Sequence, residues 1–202
     1  MRPVETQAAL GSRVSRGAVL EAVEGLRRRS LIERAETGGV AAFTLQSVVL
    51  EYVTDRLVAD VADEIHRGKP LLLVEQPLIK ALGKDYVRQS QERLIGAPIL
   101  QQLKAHHTEG GIEQQLLELL EGWRAKPEAA QGYGPGNVVN LLRLLRGDLR
   151  GLDLSRLALR HAYLAQVDAQ DASLVDTDLT ETVLAEAFHF PSSVALLSLI
   201  HI

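Results

Sequence analysis

The chain has 202 residues, no cysteine and a formal net charge of −4. The missing cysteine excludes disulfides and thiolate metal sites and fits a reducing compartment. The negative charge argues against general nucleic-acid affinity, and no uninterrupted apolar run approaches the roughly 18 residues that span a bilayer.

MRPVETQAALGSR at the start lacks an apolar stretch of the kind a signal peptide carries, so a cytoplasmic location is expected. Ser15 is a candidate N-cap for a helix running to about Arg29, with Val19, Leu20, Val23 and Leu26 on one face. Leu31–Arg34, the turn at Gly38-Gly39 and Val40–Leu45 read as a β-hairpin. A second helix is predicted from about Ser47 to His66, its buried stripe formed by Val48, Val49, Tyr52, Val53, Leu57, Val61 and Ile65. From Asp85 to about His107 a further helical stretch carries Val87, Leu94, Ile95, Ile99, Leu100 and Leu103, and Pro98 is expected to kink or split it. Ile112 to about Ala125 is another helix, followed by a polar, glycine-rich connection from Pro127 to Pro135 and a short helix from Asn137 to Leu145.

The most regular feature comes next. Leu149, Leu154, Leu159, Leu164, Ala169, Leu174, Leu179 and Leu184 fall five residues apart. Neither a helix nor a flat strand selects that spacing, and a fixed beat of this kind predicts stacked units around a shared core. The charge is uneven as well. Met1 to Arg34 holds seven Arg and four Glu, whereas 147–188 holds three Arg against eight acidic residues. A basic start and an acidic end suggest different modules.

The segments GDLRG, LDLSR, LALRH, AYLAQ, VDAQD, ASLVD, TDLTE and TVLAE resemble the A(D/N)LXX pattern of pentapeptide-repeat right-handed β-helices. That resemblance implies four pentapeptides per coil, hence two coils, with Leu149 on Ala169, Leu154 on Leu174, Leu159 on Leu179 and Leu164 on Leu184. The helix, hairpin, helix order, with LRRRSLIER and FTLQSVVLEYVTDRL, resembles the winged-helix segment of NB-ARC (STAND-type) signalling ATPases. PLIKALGKDYVRQSQERLI resembles the helical linker of their bacterial members. The run Gly134, Gly136, Asn137, Asn140, Leu141 and Leu142 is similar to the GxGNxxNLL-like segment that precedes a pentapeptide solenoid and, often, WD repeats.

Together these readings predict an α+β chain. It would comprise a partial winged-helix domain (1–67), an α-helical linker (68–133), a capping helix (134–146), a short right-handed quadrilateral β-helix (147–188) and an irregular, non-native tail (189–202). Both ends read as incomplete, and Ser198 to Ile202 is expected to be foreign to the natural protein.

Chemistry is sparse in the sequence. His66-Arg67-Gly68-Lys69-Pro70 lacks the upstream Gly and the following Ser/Thr of a phosphate loop, so Lys69 reads as an exposed helix-end cation. ATP or ADP is implied only for a module upstream of this chain, and no cofactor or metal is expected within it. Gln46 lies near the place of a nucleotide-sensing His in the family, but no role carries over. His106 and His107 are adjacent and would point to different sides of a helix. His161 and His189 have no carboxylate at ligand spacing, so the histidines read as solvated. Arg27, Arg28 and Arg29 could meet phosphates in a DNA-binding winged helix. Nearby Glu21, Glu24 and Glu33 favour a simple complement to the helix dipole instead. Asp168, Asp171, Asp176, Asp178, Glu181 and Glu186 give the repeats an acidic skin. Two coils at about 4.8 Å per layer are too short to imitate a DNA duplex.

The expected function is therefore a non-catalytic scaffold of a STAND-type ATPase, coupling a nucleotide-binding module to a sensor through protein partners or other domains, with no membrane and no nucleic acid. The alternatives are a free-standing pentapeptide protein that binds a topoisomerase or another enzyme, and a winged-helix DNA-binding regulator.

Overall fold

The computed structural model describes residues 15–37 and 40–184. The chain divides into two compact units, Met1–Arg56 and Leu57–Ile202.

In the first unit Ser15 caps helix α1 (Arg16–Arg28), its hydroxyl accepting from the Ala18 N–H at 3.2 Å. The cap satisfies one of the donors that a helix N-terminus leaves open. Strands β1 (Ile32–Thr37) and β2 (Val40–Leu45) pair antiparallel, with Ile32 opposite Leu45 and Thr37 opposite Val40. The expected turn at Gly38-Gly39 lies outside the described residues. Val19 and Ile32 are buried, whereas Leu20 and Leu26 are exposed, so only part of the expected α1 face is covered.

Helix α2 (Ser47–Arg67) carries the boundary between the units. Of its predicted stripe, Val61 and Ile65 are buried and Leu57 is half-buried; Val58 and Ala62, outside that stripe, are buried beside them. Val48, Tyr52 and Val53 of that stripe are exposed instead, and Val49 is half-buried. Periodicity identifies the apolar face of a helix but not whether another element covers it.

The second unit continues with α3 (Leu72–Glu75), α4 (Asp85–Gln91), a π-turn at Glu92–Gly96, α5 (Ala97–Lys104), α6 (Glu109–Arg124), α7 (Glu128–Gln131) and α8 (Gly134–Arg146). The widened turn stands immediately before Pro98, which has no N–H to donate to the preceding turn and would crowd it. The extra residue shifts the helical phase. Ile99, Leu100 and Leu103 are buried, while Leu94, another apolar position of that stretch, is exposed. Thr108 caps α6 by accepting from the Gly111 N–H. Trp123 near the end of α6 is 1% exposed and lies in one core with Ile65, Leu73, Ile99, Leu116, Leu142 and Leu159.

The expected fold class is corrected by this structure. The chain is mostly helical, 56% helix against 7% strand, with one two-stranded sheet among the described residues, and this does not fit a pentapeptide right-handed β-helix. Residues 147–184 form consecutive tight turns joined by isolated bridges. The bridges are parallel and connect Asp153 with Ser173, Ala158 with Asp178 and Tyr163 with Val183. The physical reason lies in the beat itself. A turn every five residues leaves at most one bridged residue between turns, so no strand ladder extends.

The turns share one backbone device. Gly151, Arg156, His161, Gln166, Asp171, Asp176 and Glu181 all have φ between 55° and 66°, in the left-handed region. Two turn layers are linked by Leu154 N–H to Ser173 O (2.9 Å), Leu159 N–H to Asp178 O (2.8 Å) and Leu164 N–H to Val183 O (2.8 Å). Reverse bonds run from the N–H groups of Ser173, Asp178 and Val183 to the carbonyls of Leu152, Leu157 and Ala162.

Candidate functional site

The feature of the second unit with the most specific chemistry is the edge where its helices meet the first turn layer. A layer of turns has two backbone edges, and each presents N–H and C=O groups that must find partners if removed from water. One edge of the first layer bonds to the second layer. The other is closed by side chains from α6, α7 and α8, almost one per corner.

Arg124 at the end of α6 donates from Nη2 to Asp153 O (2.7 Å) and from Nε to Ser155 O (3.3 Å). Gln131 on α7 donates to Arg156 O (3.1 Å) and accepts from Ala158 N–H (2.8 Å). Asn140 on α8 repeats that pattern five residues further along the turns. It donates to His161 O (2.9 Å) and accepts from Tyr163 N–H (2.9 Å). Arg146 at the end of α8 donates to Arg150 O (3.0 Å) and pairs with Glu113 and Asp148. A carboxamide offers a donor and an acceptor side by side, as an extended peptide does. Gln131 and Asn140 therefore substitute for a neighbouring strand.

Helix α8 is built to be enclosed. Residues 134–142 are all buried. Asn137 faces away from the turns and holds α3. It accepts from Leu78 N–H (2.8 Å) and donates to Leu73 O (2.8 Å) and Gln76 O (2.7 Å). Its amide thereby makes three bonds at 1% exposure. The two glycines set the approach distances. A Cβ on Gly134 would lie 2.5 Å from the Trp123 ring, and one on Gly136 would lie 1.9 Å from the Arg160 carbonyl oxygen.

A second polar knot lies beside it. Arg88 is 8% exposed, bonds to Glu92 at 2.8 Å and stacks over the Tyr163 ring at 3.8 Å. Arg143 of α8 pairs with the same Glu92. One carboxylate at the head of the π-turn thus ties α4 to α8, and Tyr163 ties both arginines to the turns. The turn surface carries its own anchored carboxylates. The Ser155 hydroxyl and N–H hold the Asp153 carboxyl below the usual carboxylate range. At Asp178 burial works upward, but the Thr180 hydroxyl and N–H, with Glu128 and Arg160, together outweigh it and the net shift is down.

Of the predicted core positions, Leu149, Leu154, Leu159 and Leu164 are buried, and Ala169, Leu174, Leu179 and Leu184 are half-buried against the same core. The first group is sandwiched between α8 and the second layer, whereas the second group has described neighbours on one side. Arg27, Arg28 and Arg29 stand exposed at the end of α1, where Arg27 pairs with Glu24 at 3.6 Å. Lys69 is exposed, and the Gln46 N–H donates to Leu31 O. Asp171, Asp176 and Glu181 sit exposed at left-handed corners, and Glu186 lies outside the described residues. No group of three or more His, Asp or Glu able to hold a metal occurs among the described residues. No described helix is long and apolar enough to cross a membrane. Sequence reasoning missed Arg124 and Gln131. The glutamine lies in a stretch that reads as a loop, and its partners are 25 and 27 residues away.

No family model matches the chain, and no solved structure matches it. An uncharacterized WD repeat-containing protein of the cyanobacterium Nostoc sp. is 35% identical over 219 residues, which cover 90% of this chain. The chain spans 17% of the length of that relative. It is thus similar to one segment of a longer WD repeat-containing protein.

Proposed function

We propose that this chain is a non-catalytic interaction and scaffold segment of a longer signalling protein. In that protein it would couple a nucleotide-binding module of the STAND ATPase type, lying upstream, to a sensor region. The observation that carries the reading is the closed edge. Arg124, Gln131, Asn140 and Arg146 each bind backbone of the first turn layer, so the helices and the turns of the second unit would move as one body. Such a body suits the transmission of a displacement between attached partners. The similarity to a WD repeat-containing protein supports an interaction role, and the order of sequence motifs supports the ATPase setting. ATP or ADP would bind the upstream module, and the partners of this chain would be other domains or proteins.

The test is hydrogen exchange on the full natural protein with ATP and with ADP. Nucleotide-dependent protection within residues 134–184, lost in Asn140→Leu while nucleotide binding persists, is the expected result. A natural protein that binds no nucleotide, or equal exchange in both states, overturns the coupling role.

A further inference from the structure

The geometry points to a surface site for a divalent late transition-metal ion, held by His66 and His107. His66 stands in the last turn of α2, and His107 lies in the turn between α5 and α6, 41 residues away. Their Nδ1 and Nε2 atoms are 2.8 Å apart, and their ring centroids are 5.0 Å apart with the planes inclined by 44°. Both rings line an open cleft of about 370 Å³, which Asp63, Gln102 and His106 also border. The cleft gives an ion room for water ligands, and Asp63 on its border is bonded to Arg67 at 2.8 Å.

Without metal, one ring donates its N–H to the other. With metal, that proton moves through solvent to the far nitrogen of the same ring, and the two rings turn so that the freed lone pairs converge on the ion instead of on each other; no net charge leaves the pair. Affinity order and bite angle together favour Cu²⁺, which imidazole sites bind more tightly than Ni²⁺ or Zn²⁺. At metal–nitrogen distances of about 2.05 Å, a 2.8 Å separation subtends roughly 86° at the ion. Tetrahedral zinc would need the nitrogens about 3.3 Å apart. An angle near a right angle suits tetragonal Cu²⁺ or octahedral Ni²⁺, with water completing the shell. His106 is adjacent in sequence, but its ring centroid lies 6.4 Å from that of His66, and it is not part of the pair.

The test uses the 202-residue chain without a polyhistidine tag, titrated calorimetrically near neutral pH with CuCl₂, NiCl₂ and ZnCl₂. One Cu²⁺ or Ni²⁺ per chain is expected, with Zn²⁺ weaker than Cu²⁺. His66→Gln and His107→Gln should each weaken binding at least tenfold while circular dichroism stays unchanged. His106→Gln and the double variant His189→Gln/His201→Gln should bind as the parent does. On the unaltered chain, substoichiometric Ni²⁺ should broaden the ring-proton resonances of His66 and His107 first, a readout independent of any variant's folding. No binding at millimolar metal, binding that survives both His66→Gln and His107→Gln, loss of binding in His106→Gln, or Zn²⁺ tighter than Cu²⁺ would each overturn the assignment.

Discussion

Gly136 lies so close to Arg160 that a Cβ on the glycine would sit 1.9 Å from the arginine's carbonyl oxygen. The atom in the way is backbone at a turn corner, so it cannot swing aside as a side chain would. Gly136→Ala must push α8 away from the first turn layer and stretch the Asn140 bonds, at a cost of about 3 kcal/mol. Gly122, also in a helix, has nothing within 4 Å of its added Cβ. Gly122→Ala should stabilise the chain by about 0.5–1 kcal/mol through backbone entropy alone. Urea unfolding of the two variants should show opposite shifts of midpoint. A neutral Gly136→Ala would mean that the approach of α8 to the turns is loose.

Asn140→Leu keeps the volume of the side chain and removes its donor and acceptor. Tyr163 N–H and His161 O then lose their partner at a site that water reaches poorly. The expected loss is about 2 kcal/mol. Exchange of the Tyr163 amide should accelerate more than that of its layer neighbours Leu159 and Leu164, which bond to the second layer. Asn140→Asp retains an acceptor for Tyr163 N–H but sets a carboxylate oxygen against His161 O. It should therefore be destabilised as well.

How far these relationships could be read beforehand depends on the range of the interaction. The five-residue beat is local and predicts stacked units; of the positions on it, Leu149, Leu154, Leu159 and Leu164 are buried, and the bridges join residues twenty apart, a spacing that only the resemblance implied. It did not show that single bridged residues would fall short of strands, which is where the β-helix expectation failed. Glycine and asparagine in the run from Gly134 to Asn140 stood out as a motif, yet their purpose depends on Trp123, Leu73 and Arg160, which no spacing rule connects to them. Gln131 and the His66–His107 pair are wholly tertiary. Over the first turns of α2 the apolar Val48, Tyr52 and Val53 are exposed, because an amphipathic pattern names a face and not its cover.

The two turn layers should differ in tolerance to truncation. Leu159 is fully buried and Leu179 half-buried, although they occupy the same place in successive layers. Leu159→Ala opens a cavity that α8 and the layer above cannot collapse, at about 3 kcal/mol. Leu179→Ala should cost about 1 kcal/mol, since part of that side chain already meets solvent. Leu159→Asp, which puts an unpaired carboxylate between the layers, should unfold the turns altogether. Equal urea midpoints for the two alanine variants would contradict the assigned difference in burial.

His161 makes stability depend on pH in a defined direction. Its ring is half-buried, 5.8 Å from Tyr133, with a buried Nδ1 that has no hydrogen-bond partner. Burial is the largest influence and lowers its pKa from the usual 6.5; Glu181, 3.6 Å away, opposes the shift, and Lys80 adds to it. In the window below 6.5 the unfolded chain therefore binds more protons than the folded chain at this residue, and stability rises with pH there. The contribution is complete above 6.5 and is lost as pH falls through the folded value. Urea midpoints measured from pH 7.5 down to 5 should fall more steeply for the parent than for His161→Gln, which cannot titrate. Glu181→Gln removes the opposing charge, depresses the folded value further and should carry the loss to lower pH. Matching pH profiles for the parent and His161→Gln would show that the imidazole reaches solvent freely, and that its environment between Tyr133 and Glu181 is open.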